Sequence, residues 1–269
     1  MKEEALSIVR DQADPAVKLN LLREYIQFQV LRSLHESEAF VNLAFVGGTA
    51  LRFLFNLPRF SEDLDFSLEE KENYLPEKWM RKVKRDLELS GFDTMLKWNG
   101  DSPVNKAWIR IPELLKDAGI AAIKEQNLSI KLEIDTRPPA GAKIEKKLVT
   151  RQRIISLQHY DLPSLMAGKI HALITRKYGK GRDWYDLLWY RGHRPPVEPN
   201  QILLQNALDQ TQGKKAFKAD DWKRIIMGRL DELDCRTLKE DVQPFLEHPE
   251  DAELFSNENF RSLLLPEQC

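Results

Sequence analysis

Cysteine is scarce in this chain: two residues in 269, Cys235 and Cys269. Two cysteines build neither a disulfide framework nor a zinc set, which excludes the small stapled and zinc-finger classes. Long hydrophobic runs are missing too, and nothing approaches the roughly 18 apolar residues that a bilayer span needs. No membrane partner is therefore expected. The opening Met-Lys-Glu-Glu has no basic stretch leading into an apolar one, as a secretory signal would. With so few cysteines, the expectation is a cytoplasmic protein. Charge of one sign is also lacking: 41 Lys and Arg against 42 Asp and Glu leave a formal net charge of −1. Repeats and low-complexity tracts are absent, and with 42% hydrophobic residues whole-chain disorder is excluded.

What is present is unevenly spread. Residues 169–194 hold seven Lys/Arg against two Asp, and residues 219–269 hold thirteen Asp/Glu against six Lys/Arg. Such asymmetry fits a local polyanion site as well as it fits the solvated faces of helices.

A length of 269 residues accommodates one large domain or two small ones. Leu19, Leu22, Ile26, Val30 and Leu34 recur at helical spacing within 5–41, and Asp14-Pro15 is a plausible helix start. The apolar run Leu43–Val46 suits a buried strand that meets a turn at Gly47-Gly48-Thr49 and a short helix to Phe55. Alternation through Asp63-Leu64-Asp65-Phe66-Ser67-Leu68 marks a half-buried strand. An amphipathic helix is expected over 76–90, closed by Gly91, and strands over 104–111 and 128–136. From Ser164 the pattern is helical, with a break at Gly179/Gly181 and a second helix from Arg182 to Tyr190. The expected architecture is α+β: a mixed sheet flanked by helices over 1–160, and a helical part over 161–269 that completes the active site.

Asp63 and Asp65 stand two apart on a strand and so share a face. A pair of that kind can hold a hard divalent ion such as magnesium, and it is also a common solvated edge. Gly47-Gly48-Thr49 at a strand-to-helix turn favours phosphate, and it suits an ordinary turn capped by Thr49 equally well. On 128–136, Lys131, Glu133 and Asp135 share one face. His159, His171 and His193 lack metal-ligand spacing, and core or surface roles are expected. Trp184 and Trp189 are of a type that stacks on bases, although packing is their ordinary use. Lys143, Lys146, Lys147, Arg151 and Arg153 are of a type that contacts a polyanion, although a solvated loop is the default expectation.

Taken together, the glycine turn, the Asp-x-Asp strand and the distant acidic strand resemble the polymerase-beta-like nucleotidyltransferases. Phe45-Val46-Gly47-Gly48-Thr49-Ala50-Leu51-Arg52 and Arg59-Phe60-Ser61-Glu62-Asp63-Leu64-Asp65-Phe66 closely resemble the AbiEii/AbiGii-type nucleotidyltransferase toxins. The likeness continues at Lys131–Arg137, where that family is expected to carry Asn at 135, so that Glu133 rather than Asp135 is its third carboxylate. It extends to Ser164–Leu173 and to Arg182-Asp183-Trp184-Tyr185-Asp186-Leu187. The resemblance implies Mg2+, with Mn2+ an alternative, on Asp63, Asp65 and Glu133. It implies an NTP held by Gly47, Gly48, Thr49, Arg52, Ser61, Lys169, Arg182 and Asp183, with Lys169 acting on the triphosphate. Lys131, Asp135 and Asp186 are further candidates, Asp186 as phosphate-site residue or as a helix-start salt-bridge partner. The reaction implied is transfer of an NMP to an RNA acceptor, a tRNA 3′ end, with a cognate antitoxin as partner. Transfer to a protein side chain or a small molecule such as an aminoglycoside, and a non-catalytic NTP- or RNA-binding module, are the alternatives.

Overall fold

The computed structural model describes residues 1–121, 126–214 and 216–265, and Cys269 lies outside them. The chain forms two compact units. The first comprises Met1–Phe55, Phe60–Pro138 and Glu145–His159; the second comprises Asn56–Arg59, Pro139–Ile144 and Tyr160–Cys269.

The first unit opens with α1 (Lys2–Val9) and α2 (Pro15–Glu36). Asp14 caps α2 by accepting the Ala16 N–H at 2.7 Å, and Pro15, which has no N–H to orphan, occupies the first helical position, as the sequence predicts. Leu22, Ile26, Val30 and Leu34 are fully buried. Then come β1 (Leu43–Val46), α3 (Gly47–Phe55), β2 (Leu64–Leu68), α4 (Pro76–Leu89), β3 (Met95–Asn99), β4 (Val104–Ile111), α5 (Leu114–Asp117), β5 (Leu128–Asp135), β6 (Ile144–Thr150) and β7 (Ile154–Tyr160). Gly91, at φ +87°, turns the chain out of α4, a conformation that costs glycine little.

The strands form one mixed sheet ordered β3-β4-β5-β2-β1-β7-β6. β2 runs antiparallel to β1 and parallel to β5, and β1 runs parallel to β7. Period-two alternation is clean on β5, where Leu128, Ile130, Leu132 and Ile134 are buried and Lys131, Glu133 and Asp135 face the other side. Phe45 and Phe66 stack at 5.3 Å across β1 and β2, tying the central strands to the core. The fold class expected from the sequence is the one observed.

Two features differ from the expectation. β3 was not legible as a strand. The basic stretch expected to be a solvated loop lies partly on a strand: Lys146 and Lys147 are on β6, whereas Arg151 and Arg153 are in the turn to β7 and Lys143 precedes the hairpin. β6 is the sheet's edge and is exposed at six of seven positions, so it needs no apolar alternation, and lysines on an edge discourage pairing with other chains. His159 is buried edge-on to Phe55 at 5.6 Å, a core role.

The second unit is helical after Tyr160: α6 (Leu162–Thr175), α7 (Gly181–Gly192), α8 (Gln201–Gln212), α9 (Trp222–Asp231), α10 (Cys235–Val242) and α11 (Asn257–Leu264). Asp161, Asn200, Asp234 and Ser256 cap α6, α8, α10 and α11 through side-chain acceptors. Trp184 and Trp222 are buried, and Trp184 meets Phe260 edge-on at 5.1 Å. Gly181 starts α7 where α10 presses closest: a β-carbon there would lie 2.0 Å from the Leu238 carbonyl oxygen. A backbone atom cannot swing aside as a side chain can. Gly181→Ala should therefore destabilise the helical unit by about 1–3 kcal/mol, as forced overpacking does. Urea denaturation reads this as a lower midpoint with an unchanged slope; an unchanged midpoint would mean that the two helices separate freely.

Candidate active site

The centre of the sheet sets the geometry. Register places Val46 of β1 opposite Asp65 of β2, and Asp65 opposite Glu133 of β5, so the two carboxylates project from the same face one strand apart. Gly47 follows Val46 with φ +79°. A β-carbon on Gly47 would come within 2.4 Å of Asp65 Oδ2. Glycine is thus required twice over here, for its backbone angle and for the space that the carboxylate occupies. Thr49, buried one turn into α3, donates its hydroxyl to the carbonyl of Asp63 and ties the helix start to the Asp-x-Asp segment.

A polar residue inside α2 holds the same segment. Gln27, 1% exposed, donates its side-chain amide to the carbonyls of Ser61 (3.0 Å) and Glu62 (2.9 Å). The sequence reading passed over Gln27. Its signal is a glutamine in register with the buried stripe, a position where an amide must be fully hydrogen-bonded.

Other predicted residues have protein partners. Arg52, buried, bonds Glu24 at 2.6 Å and lies 4.7 Å from the centre of the Phe60 ring. Glu133 meets Lys131 at 2.8 Å and Lys106 at 3.5 Å. Asp135 accepts the Arg137 N–H at 2.9 Å, closing the turn after β5. Gly48 is buried in the first turn of α3. Among the described residues, no three His, Cys, Asp or Glu side chains gather into a metal-holding group.

Lys169, Arg182, Asp183 and Asp186 belong to the second unit, where Lys169, Asp183 and Asp186 form a charged core with Arg59. Asp186, fully buried, receives Arg59 through two hydrogen bonds, 2.6 and 2.7 Å, and Lys169 at 2.7 Å. Lys169 also reaches Asp183 at 3.0 Å, and Arg176 closes on Asp183 from the other side. The guanidinium of Arg182 lies over the Phe245 ring at 4.1 Å. Burial alone would lower the Lys169 pKa, yet Asp186 and Asp183 hold it above its ordinary value. Burial would raise that of Asp183, and Lys169 with Arg176 keeps it below the ordinary range instead. The cations of 169–194 are thus partly internal: Arg191 in turn bonds Glu198 at 2.6 Å.

The fold is shared with solved structures from a bacterium. JHP933 from Helicobacter pylori superimposes with a TM-score of 0.52 at 18% identity, covering 91% of each chain. A candidate nucleotidyltransferase from H. pylori gives 0.53 at 18% identity, covering 91% of this chain and 94% of its own. No curated protein sequence matches this chain. The sheet carries Asp65 against a glycine turn, with Asp63 just before β2 and not, as expected, on the strand; with its family match, this protein is a nucleotidyltransferase. More narrowly, residues 29–264 match the sequence model of the AbiEii family, the nucleotidyl transferase toxins of type IV toxin–antitoxin systems, and the chain belongs to that family. Membership sets aside the reading as a non-catalytic module. No helix among the described residues is long and apolar enough to cross a membrane.

Two outcomes test this geometry. Gly47→Ala should remove nearly all transfer activity while the protein remains folded, because the added methyl displaces the Asp65 carboxylate; a fully active, folded variant would show that the carboxylate has another working position. In the second unit, Asp183 has a lowered pKa, so its contribution to stability is present above the ordinary carboxylate range and disappears as pH falls below about 4. The stability gap between wild type and Asp183→Asn, read by thermal melts, should be open above about pH 5 and close toward pH 3. A gap constant with pH would place the effect in packing and not in charge.

Proposed function

We propose that this enzyme is a magnesium-dependent nucleotidyltransferase toxin that moves an NMP from an NTP to the terminal hydroxyl of an RNA, a tRNA 3′ end, and so blocks translation. The observation that supports it best is the closeness of Gly47 to Asp65, which sets a carboxylate against the mouth of a phosphate-favouring turn.

The donors suit the metal. Magnesium takes hard oxygen ligands and is ordinarily bound by one or two carboxylates, with water and substrate phosphates completing its shell. Asp63 and Asp65 would supply the two; Glu133, one strand from Asp65, is met by Lys131 and Lys106 and would join as a third oxygen donor only on leaving them. Manganese accepts the same ligands. Bound there, such an ion would supply electrophilic polarisation and charge neutralisation to the triphosphate.

The protein's own part is positioning. The backbone N–H groups at the start of α3, from Gly47 and Gly48, take the phosphate oxygens of the NTP. Thr49 and Gln27 fix the Asp63–Asp65 segment and so hold both carboxylates at a constant distance from that turn. The acceptor oxygen forms a bond to the α-phosphorus as the bridge to the β-phosphate breaks; pyrophosphate leaves and the hydroxyl proton is released. Arg52, held by Glu24, acts by bracing α3. A toxin of this type has an antitoxin as its partner.

Asp65→Asn, nearly isosteric but short of one charge, should abolish transfer with an unchanged melting curve. The assay is incubation with labelled NTPs, magnesium and total tRNA, repeated with total protein in place of tRNA. Label appearing in protein alone would move the acceptor to a side chain, and wild-type turnover by folded Asp65→Asn would remove the metal assignment.

A further inference from the structure

The sheet face that carries Asp65 and Glu133 continues past β5. Across β4 and β5, Lys106 stands opposite Glu133, Trp108 opposite Lys131 and Arg110 opposite Ser129; across β3 and β4, Lys97 stands opposite Trp108. Paired residues share a face, and burial agrees: Ala107, Ile109 and Ile111 turn into the core while Lys97, Trp108 and Arg110 are exposed. Four cations, Lys97, Lys106, Arg110 and Lys131, thereby surround one indole that is 40% exposed, with the Lys131 ammonium 5.7 Å from its ring centre. The same surface lines a depression of about 460 Å³. Lys131 and Lys106 meet Glu133, but no carboxylate among the described residues pairs with Lys97 or Arg110. By contrast Trp79, Trp184 and Trp222 are buried, as tryptophans in a soluble domain usually are.

We infer that this face is a docking platform for an unpaired polynucleotide strand whose end reaches the carboxylates. The cations offer phosphate contacts, and the exposed indole offers stacking to a base, a contact that single strands provide and duplexes hide. A basic surface alone would suit any polyanion; the indole at its centre selects for one that carries exposed rings. The platform lies in a single sheet with Asp65, so a polynucleotide lying over β4 and β3 is two to three β-strands from that carboxylate. This rests on the nucleotidyl-transfer reading only for where the strand ends.

The test uses the whole protein without NTP or magnesium, so that failure of binding and failure of transfer are separable. Fluorescence anisotropy follows a labelled 12-nucleotide single-stranded RNA, the same sequence as single-stranded DNA, a blunt RNA duplex and a poly-glutamate peptide. The unpaired strands, RNA and DNA alike, should bind more tightly than the duplex or the peptide. Trp108→Ala should weaken binding by about tenfold or more, with Trp108→Phe retaining most of it. Lys97→Ala and Arg110→Ala should each reduce the slope of log affinity against log salt by about 0.7. These two side chains are exposed, so they decide the matter even if Trp108→Ala folds poorly. Equal binding of duplex, an unchanged affinity in folded Trp108→Ala with unchanged salt slopes in the lysine and arginine variants, or tighter binding of the peptide would overturn the platform, the last pointing to an acidic protein as occupant.

Discussion

The register between β1 and β2 governs the rest of the first unit. With Val46 opposite Asp65, the first residue past β1 faces a carboxylate, and only a residue without a side chain fits there. A slip of one residue would turn Asp65 into the core and Phe66 out to solvent. The Phe45–Phe66 stack opposes that slip from the buried side, so core packing and site geometry are fixed by the same pairing. Thr49 and Gln27 add a second restraint by taking the backbone of 61–63 from two directions. A site that must keep its groups within fractions of an ångström gains from such redundancy.

Much of this frame can be read from residue order alone. Asp14-Pro15 announces a helix start, Gly91 a helix end, and the alternation on 63–68 and 128–135 identifies the two central carboxylate strands, because each has one face in the core and the other outside. The signal fails where burial is one-sided or absent. β3 alternates only between exposed and half-buried positions, and β6 has a single buried residue, so neither shows the contrast that makes a strand legible. The basic residues of β6 look like loop for that reason.

Partner choice was less legible than position. The sequence shows Lys169, Asp183 and Asp186 in one neighbourhood, but it does not say that Arg59, 127 residues before Asp186, closes the set. Charged residues at helical spacing look alike whether they meet solvent, substrate or each other. The distinction comes from burial, and a buried cation with two carboxylates around it is held first by the protein. The same limit applies to tryptophan: Trp184 and Trp189 drew notice beside the basic segment, whereas Trp108, on a strand of alternating pattern, is the one with its ring in the open.

The helical unit is assembled from three separate stretches of chain, and this has a consequence in time. Residues 56–59 are synthesised early and supply a buried guanidinium; its carboxylate arrives 127 residues later. At roughly 5–20 residues per second, on the order of 6–25 seconds separate the synthesis of Arg59 from that of Asp186. The charged core of the second unit is therefore complete only once α7 has been made.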